Sequence, residues 1–254
     1  MKFKNFVKCE IGMPIIRAVE WVFNRYSLVG RAPILDNSHF DWVEELESKW
    51  PAIRKEVENL LQYHDILPNL QDIQDANYRI TKDDKWKVCF LYGFGQQSEL
   101  NCELCPETAA AMQKVPGMKT AVFSILSPNK HIPLHRGAYS GLLRSHLALI
   151  VPKPAGSCRI RVDDAHYQWE EGKVMVFDNS REHEAWNDSD QVRVVLLFDF
   201  LRPYPSAIRW VNTRIINVLG KMLATQGLRK QREWERKNKD KIRLQGGFIP
   251  APNA

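Results

Sequence analysis

The chain has 254 residues, 44% of them hydrophobic and 26% charged, and a net charge of +6 at neutral pH. Those values are ordinary for a soluble globular protein and supply enough apolar residues for the core of one large domain, or of one domain with extensions. Five cysteines (Cys9, Cys89, Cys102, Cys105 and Cys158) are few and odd in number, so a disulfide framework is not indicated.

The N-terminal stretch MKFKNFVKCEIGMPIIRAVEWVF is interrupted by Lys4, Lys8, Glu10, Arg17 and Glu20. It has no clean signal-peptide core and no apolar span of roughly 20 residues to cross a bilayer. A reducing cytoplasm is therefore the expected compartment. Residues 1–80 predict mostly helix, with loops around Gly30 to Ser38. In SHFDWVEELESKWPAIRKEVENLL, Leu46, Trp50, Ile53, Val57, Leu60 and Leu61 recur at three- and four-residue steps, the period of a helix that buttresses one face of a sheet. Ser38 is the expected N-cap, and Pro51 marks a break or a second helix start.

Residues 81–205 turn to short β-rich runs divided by Pro, Gly and Asn-Asp clusters, the pattern of a small barrel. Beyond Pro203 and Pro205 helix returns over 206–254, through AIRWVNTRIINVLGKMLATQ and then a basic stretch. Lys221 to Arg243 holds nine basic residues against Glu233, Glu235 and Asp240. A basic helix carrying Leu228 and Trp234 fits a peripheral contact with an anionic membrane, at its inner face, a contact with nucleic acid, or a solvated tail. The aromatic residues follow core patterns and make no stacking platform, so no nucleic acid is expected.

Two segments carry the chemistry, HIPLHRGAYSGLLRSHLALIVP and FDNSREHEAWNDSDQVRVVLLFD. His135 and His183, brought together from separate strands, can hold a divalent metal, and a nearby guanidinium can grip a carboxylate. In Gln191-Val192-Arg193-Val194-Val195, alternation places Arg193 on the face of Val195 and opposite Val194. A cation on the inner face of a strand is costly without a partner, and an anionic ligand would supply one. Arg144 and His146, two residues apart, share one face of a strand. His131 lies between Lys130 and Pro133 and reads as a loop residue, while His39, His64 and His166 read as structural or exposed. Cys102-x-x-Cys105 has zinc-like spacing but no second pair to complete a tetrahedral site. LYGFGQQ lacks the strand and helix context of a dinucleotide-binding turn.

Four ordered blocks, FSILSPNKHIPLH, LLRSHLALIVP, WEEGKVMVFDNSREHEAWN and VRVVLLFDFLRP, resemble the aspartyl/asparaginyl β-hydroxylase family of iron(II)- and 2-oxoglutarate-dependent dioxygenases. The resemblance implies a mostly β fold with flanking helices, a double-stranded β-helix of the jelly-roll, cupin-like kind. It implies Fe(II) held by His135 and His183, with 2-oxoglutarate and O2 as co-substrates. Arg193 would take the distal carboxylate of 2-oxoglutarate, and Ser124, Arg144 and His146 would contact co-substrate or substrate. An ion pair with an acidic residue is the alternative for Arg144, and a simple strand-edge residue is the alternative for Ser124. The superfamily's usual carboxylate ligand would stand at Gly137; this family lacks it too. Asp178 and Glu184 read either as groups that orient the ligands or as exposed loop acids. Cys102 and Cys105 fall in a loop that the family carries before its core strands, here an inert surface loop.

The implied reaction is hydroxylation of an unactivated C–H bond, coupled to decarboxylation of 2-oxoglutarate to succinate. Within the family some enzymes act on Asp or Asn residues in proteins, and others on fatty acyl chains of lipid A or ornithine lipids. Leu142 replaces a basic residue of the animal protein-hydroxylating members, so an acidic side chain loses one attracting cation. That departure, with the FLYGFG, CPET and PGMKTAVFSILSPNKHIPLHRG stretches, leans toward a lipid acyl chain. The alternatives are a peptide or small amino acid as substrate, and a non-catalytic barrel that binds a metal or a small acid.

Overall fold

The computed structural model describes residues 12–137 and 139–246. Lys4, Lys8, Cys9 and Glu10 lie outside them, as do the side chains of Arg17, Lys221, Leu228 and Arg243. Two antiparallel sheets face one another. The larger joins β1 (Ile34–Leu35), β2 (Trp86–Gly93), β3 (Gln96–Gln97), β4 (Met118–Leu126), β6 (Leu142–Ile150), β9 (Val174–Phe177) and β11 (Arg193–Leu201), in the order β1-β9-β6-β11-β4-β2-β3. The smaller joins β5 (Lys130–His135), β7 (Cys158–Val162), β8 (Ala165–Gln168) and β10 (His183–Asn187), in the order β5-β10-β7-β8. From β4 onward the chain passes repeatedly from one sheet to the other, which winds the double-stranded β-helix.

The two-residue period of the strands sorts their side chains into two cores. Val122, Leu126, Ala148, Met175, Phe177 and Val195 point from the larger sheet into the barrel, where they meet Ile160, Val162 and Ala185 of the smaller one. Val194, Leu196, Phe198 and Phe200 point the other way, onto helices. Along the chain these are α1 (Gly12–Arg25), α2 (Trp42–Ser48), α3 (Trp50–Leu61), α4 (Leu70–Ile73), α5 (Glu99–Leu104), α6 (Pro106–Gln113) and α7 (Ser206–Gly246). Ile53 and Val57, one helical turn apart on α3, are fully buried against that outer face. Each contributes about 1.5–3 kcal/mol by leaving water.

Pro51 sits in the first turn of α3, where its missing N–H costs nothing, so it begins a second helix. Ser38 is not an N-cap. The turn Asn37–His39 is capped by Asp36, whose carboxylate accepts from the Ser38 N–H at 2.9 Å, and α2 starts only at Trp42. The reason is tertiary: Phe40 is buried against Trp42 and Phe200, and this fixes the backbone before the helix begins. The expected Gly30–Ser38 loop holds β1, which pairs with β9; two residues are too few to show alternation. The Cys102–Cys105 stretch is not a surface loop. It spans the junction of α5 and α6, with Cys105 buried in the outer core.

α7 lies back on the fold. Its Trp234 indole N–H donates to the Ile66 carbonyl at 2.9 Å, and Ile242 is buried with Tyr63 and Leu100. Trp234 is thus turned inward rather than presented to a surface. Among the described residues, no helix is long and apolar enough to cross a membrane.

Candidate active site

The site begins with a bulge. In β5, Ile132 pairs with Ala185 and His135 pairs with His183, so the register slips between these pairs. Proline has no N–H for the ladder, and Pro133-Leu134 bulges out opposite Glu184. The extra residue lets both Ile132 and His135 face inward although three positions separate them. Leu134 is left exposed.

His135 and His183 consequently stand face to face, with ring centroids 4.1 Å apart and planes inclined by 52°. Each ring places Nδ1 at 2.8 Å from the carbonyl oxygen two residues upstream, Pro133 for His135 and Arg181 for His183. A carbonyl only accepts, so Nδ1 carries the proton in both rings and Nε2 keeps its lone pair. Burial lowers the pKa of both. It drives His183 down to about 3, with help from the His135 charge, and lowers His135 against the opposing pull of Pro133. Both are neutral near pH 7, as metal ligands must be.

Gly137 explains why no carboxylate completes the set. A Cβ at this position would meet the side chain of Asn179 at 2.5–2.7 Å. Gly137 N–H also donates to the Asn179 carbonyl at 2.8 Å, which holds the two segments together. Among the described residues, no cluster of three or more His, Cys, Asp or Glu side chains is disposed to hold a metal ion. The pair could offer a metal ion two nitrogens, Nε2 of each ring.

Deeper in the barrel, Arg193 is 2% exposed, with its guanidinium 4.7 Å above the Trp169 ring. Its Nε and Nη1 have no hydrogen-bond partner among the described residues. Burial pulls its pKa down to about 10, so it remains a cation at neutral pH. His146 is also buried, and neither of its ring nitrogens has a hydrogen-bond partner among the described residues. Desolvation, then the Arg193 charge, holds it well below the usual histidine range and thus neutral. His146 packs 5.2 Å from Phe177, which lies 5.4 Å from His183 and links the two levels of the site. Ser124 accepts from the Trp86 indole at 3.0 Å, which leaves its own O–H free to donate.

Arg144 shares the inner face of β6 with His146, as the spacing requires. Asp199 of β11 grips it with two hydrogen bonds, Nε to Oδ1 at 2.8 Å and Nη2 to Oδ2 at 3.0 Å. Leu142, at the end of the same face, packs with Leu201, Phe23, Tyr139 and Tyr204. Asp178 and Glu184 are not exposed loop acids. Asp178 is 1% exposed and pairs with the fully buried Arg202 at 2.5 Å. Glu184 points away from the barrel, where it binds Arg161 and, at 3.0 Å, His131. His131 is no loop residue either: it lies on the outer face of β5, stacked on Trp186. His39 and His166 are exposed and His64 half-buried, away from the pair. Sequence reasoning missed Asp199, Trp169, Asn179 and Arg202, whose partners lie far away in the chain.

The site is thus a double-stranded β-helix with two neutral inward imidazoles and, among the described residues, a buried cation without a carboxylate partner. The aspartyl/asparaginyl beta-hydroxylase family model matches residues 47–203, and the chain belongs to that family. It is 45% identical over 226 residues to the ornithine lipid ester-linked acyl 2-hydroxylase of Rhizobium tropici, covering 89% of this chain and 80% of that one. It is 33% identical over 173 residues to human aspartyl/asparaginyl beta-hydroxylase, covering 66% of this chain but 22% of that much longer protein. Among solved structures, a prolyl-4-hydroxylase from Pseudomonas putida aligns over 61% of this chain and 88% of its own, at a TM-score of 0.42 and 16% identity. The relatives are hydroxylases, and this chain is a member of a hydroxylase family.

Proposed function

We propose that this protein is an Fe(II)- and 2-oxoglutarate-dependent dioxygenase that hydroxylates the acyl chain of a membrane aminolipid. The observation that carries the reading is Arg193, a buried cation with two unpartnered nitrogens beneath a pair of imidazoles whose free nitrogens are Nε2. Such a cation is costly to bury and becomes favourable once a carboxylate pairs with it. The residues fit the family's cofactors: His135 and His183 would hold the iron, Arg193 the distal carboxylate of 2-oxoglutarate. Bound there, iron and 2-oxoglutarate would supply the oxidising power to insert oxygen from O2 into a C–H bond, with succinate and carbon dioxide as co-products.

The chain's own residues bind, orient and exclude water. The Pro133 and Arg181 carbonyls fix both imidazoles in one tautomer. Trp169 and Phe177 wall the cation and His146 from solvent, which strengthens every charge interaction inside. Ser124 and His146 offer further polar contacts to a bound dicarboxylate. Arg144, held by Asp199, presents a half-neutralised charge at the rim. Leu142 and Leu201 continue this face beyond Arg144 with apolar side chains, which suits a hydrocarbon chain.

Succinate formation from 2-oxoglutarate with anaerobically loaded iron(II) tests the proposal. Wild type should turn over, His135→Ala and His183→Ala should not, and expression should add one oxygen to ornithine-containing lipids. Absence of 2-oxoglutarate binding to the wild type would sink the enzymatic reading and leave a binding barrel. Turnover stimulated by Asp or Asn peptides, with lipids unchanged, would move the substrate to the peptide class.

A further inference from the structure

The exposed apolar side chains are unevenly distributed. Among the described residues, the exposed large hydrophobics are Trp21, Val22, Tyr26 and Leu28 of α1 and its exit, Trp210, Val211 and Val218 of α7, Tyr78, and Leu134 beside His135. Trp21 and Trp210 are 67% and 62% exposed. The helices behind the larger sheet show none.

α1 and the first turns of α7 are neighbours. Leu28 N–H donates to the Pro203 carbonyl at 3.1 Å, and Phe23 packs edge-on against Tyr204 at 5.6 Å. Both helices turn their inner faces to the segment that follows His135. Glu20 of α1 accepts from the Ser140 N–H at 3.1 Å and pairs with Arg136, and Asn212 of α7 donates to the Gly141 carbonyl at 2.9 Å. A Cβ at Gly141 would collide with Asn212 at 2.0 Å, so glycine is needed for this close seat. The outward faces carry the tryptophans.

The charges between these apolar groups have one sign. Arg25, Arg209 and Arg214 are exposed, Arg214 lying 5.2 Å over the Trp210 ring. No Asp or Glu occurs from Phe200 to Arg232, and Glu20, the acid of α1, is buried. Tryptophan, tyrosine and arginine interleaved on an outward helical face match the boundary between acyl chains and anionic headgroups.

We infer that this aromatic and cationic face of α1 and α7 seats the protein on an anionic lipid bilayer, with the His135 end of the barrel turned toward the membrane. It rests on the acyl-lipid reading of the site for its purpose, not for its chemistry. The basic stretch 221–243, which the sequence leaves open as a membrane contact or a solvated tail, has Trp234 turned into the fold.

Co-sedimentation with vesicles that contain no ornithine lipid separates the two ideas. Wild type and His135→Ala should both bind phosphatidylcholine–phosphatidylglycerol vesicles and ignore phosphatidylcholine alone. The double variants Trp21→Ser/Trp210→Ser and Arg25→Glu/Arg214→Glu should each bind about tenfold or more weakly, while still binding 2-oxoglutarate. Lys237→Glu/Lys239→Glu should change binding much less. The inference fails if the wild type ignores anionic vesicles, or if the tryptophan pair can be removed without effect. It also fails if only the Lys237/Lys239 change abolishes binding, or if the wild type is a dimer that the tryptophan changes dissociate. None of these results bears on succinate formation, which can succeed or fail independently.

Discussion

Replacing Arg193 by methionine should make the ligand-free protein more stable, not less. The side chain is 2% exposed and no carboxylate among the described residues pairs with it, so the folded state carries a charge that water would otherwise solvate. The fall of its pKa from the ordinary arginine value to about 10, caused by burial, corresponds to about 3 kcal/mol. The sign follows from linkage. A cation whose folded pKa is depressed destabilises the fold at every pH where it stays charged, so the penalty is fully present near pH 7. Against it stands the Trp169 contact at 4.7 Å, worth about 2 kcal/mol for a desolvated cation. Methionine keeps the volume and removes both, for a net gain of about 1 kcal/mol. Urea denaturation of metal-free protein measures this directly. With 2-oxoglutarate and a redox-inert divalent ion the order reverses, because wild type gains about 2.7 kcal/mol at a hundredfold excess over Kd and Arg193→Met gains nothing. An Arg193→Met protein that is less stable without ligand, yet still stabilised by 2-oxoglutarate, would falsify the reasoning.

Three further outcomes follow from the same geometry. Burial depresses the pKa of His135, His146 and His183, the last to about 3, so the unfolded chain takes up protons before the folded one. Metal-free protein should therefore hold its full stability above about pH 6.5 and lose it as the pH falls toward about 3; a urea midpoint that stays constant over that window contradicts this. Gly137→Asp should not create a third ligand, because its Cβ would strike Asn179; we expect a loss of about 1–3 kcal/mol and weaker iron binding by titration, whereas tighter binding at unchanged stability argues the opposite. Asp178→Asn leaves the buried Arg202 without its counter-charge and should cost about 3–5 kcal/mol in a denaturant titration, much of it recovered in the double variant with Arg202→Met.

The inward placement of Arg193 was legible from strand parity, and the pairing of His135 with His183 from the ordered blocks that flank them, since either histidine alone is a weak signal. The barrel and the helix that buttresses it were legible for the same reason, since Ile53, Val57 and Leu60 mark a face by period alone. What sequence reasoning missed depends on distant partners. Asp199 meets Arg144 across 55 positions and Arg202 reaches Ser140 across 62, and no window of the chain shows either pairing. Asp178 looked like a loop acid because Asp-Asn-Ser is turn chemistry, yet the turn is buried and its carboxylate also accepts from Ser180. His131 looked like a loop residue because Pro133 follows closely, but the proline makes a bulge rather than ending the strand.

The inner faces of β6 and β11 form a polarity gradient that bears on the choice of substrate. Arg193 stands at one end, His146 and the imidazole pair follow, then Arg144 with Asp199, and Leu142 opposite Leu201 closes the series. Under the acyl-lipid proposal a substrate would pass Leu142 and Leu201, where an acidic side chain would shed its hydration. The first cation it met would be one that Asp199 already neutralises with two hydrogen bonds. A hydrocarbon tail on the same path loses nothing and gains about 0.8 kcal/mol for each methylene buried. Four methylenes would contribute about 3 kcal/mol without any specific contact, enough to hold a chain in place while leaving its register to the headgroup outside. The gradient therefore supports the proposed acyl-chain substrate, and Trp21 and Trp210 stand exposed on the helices that pack against this end of the sheet.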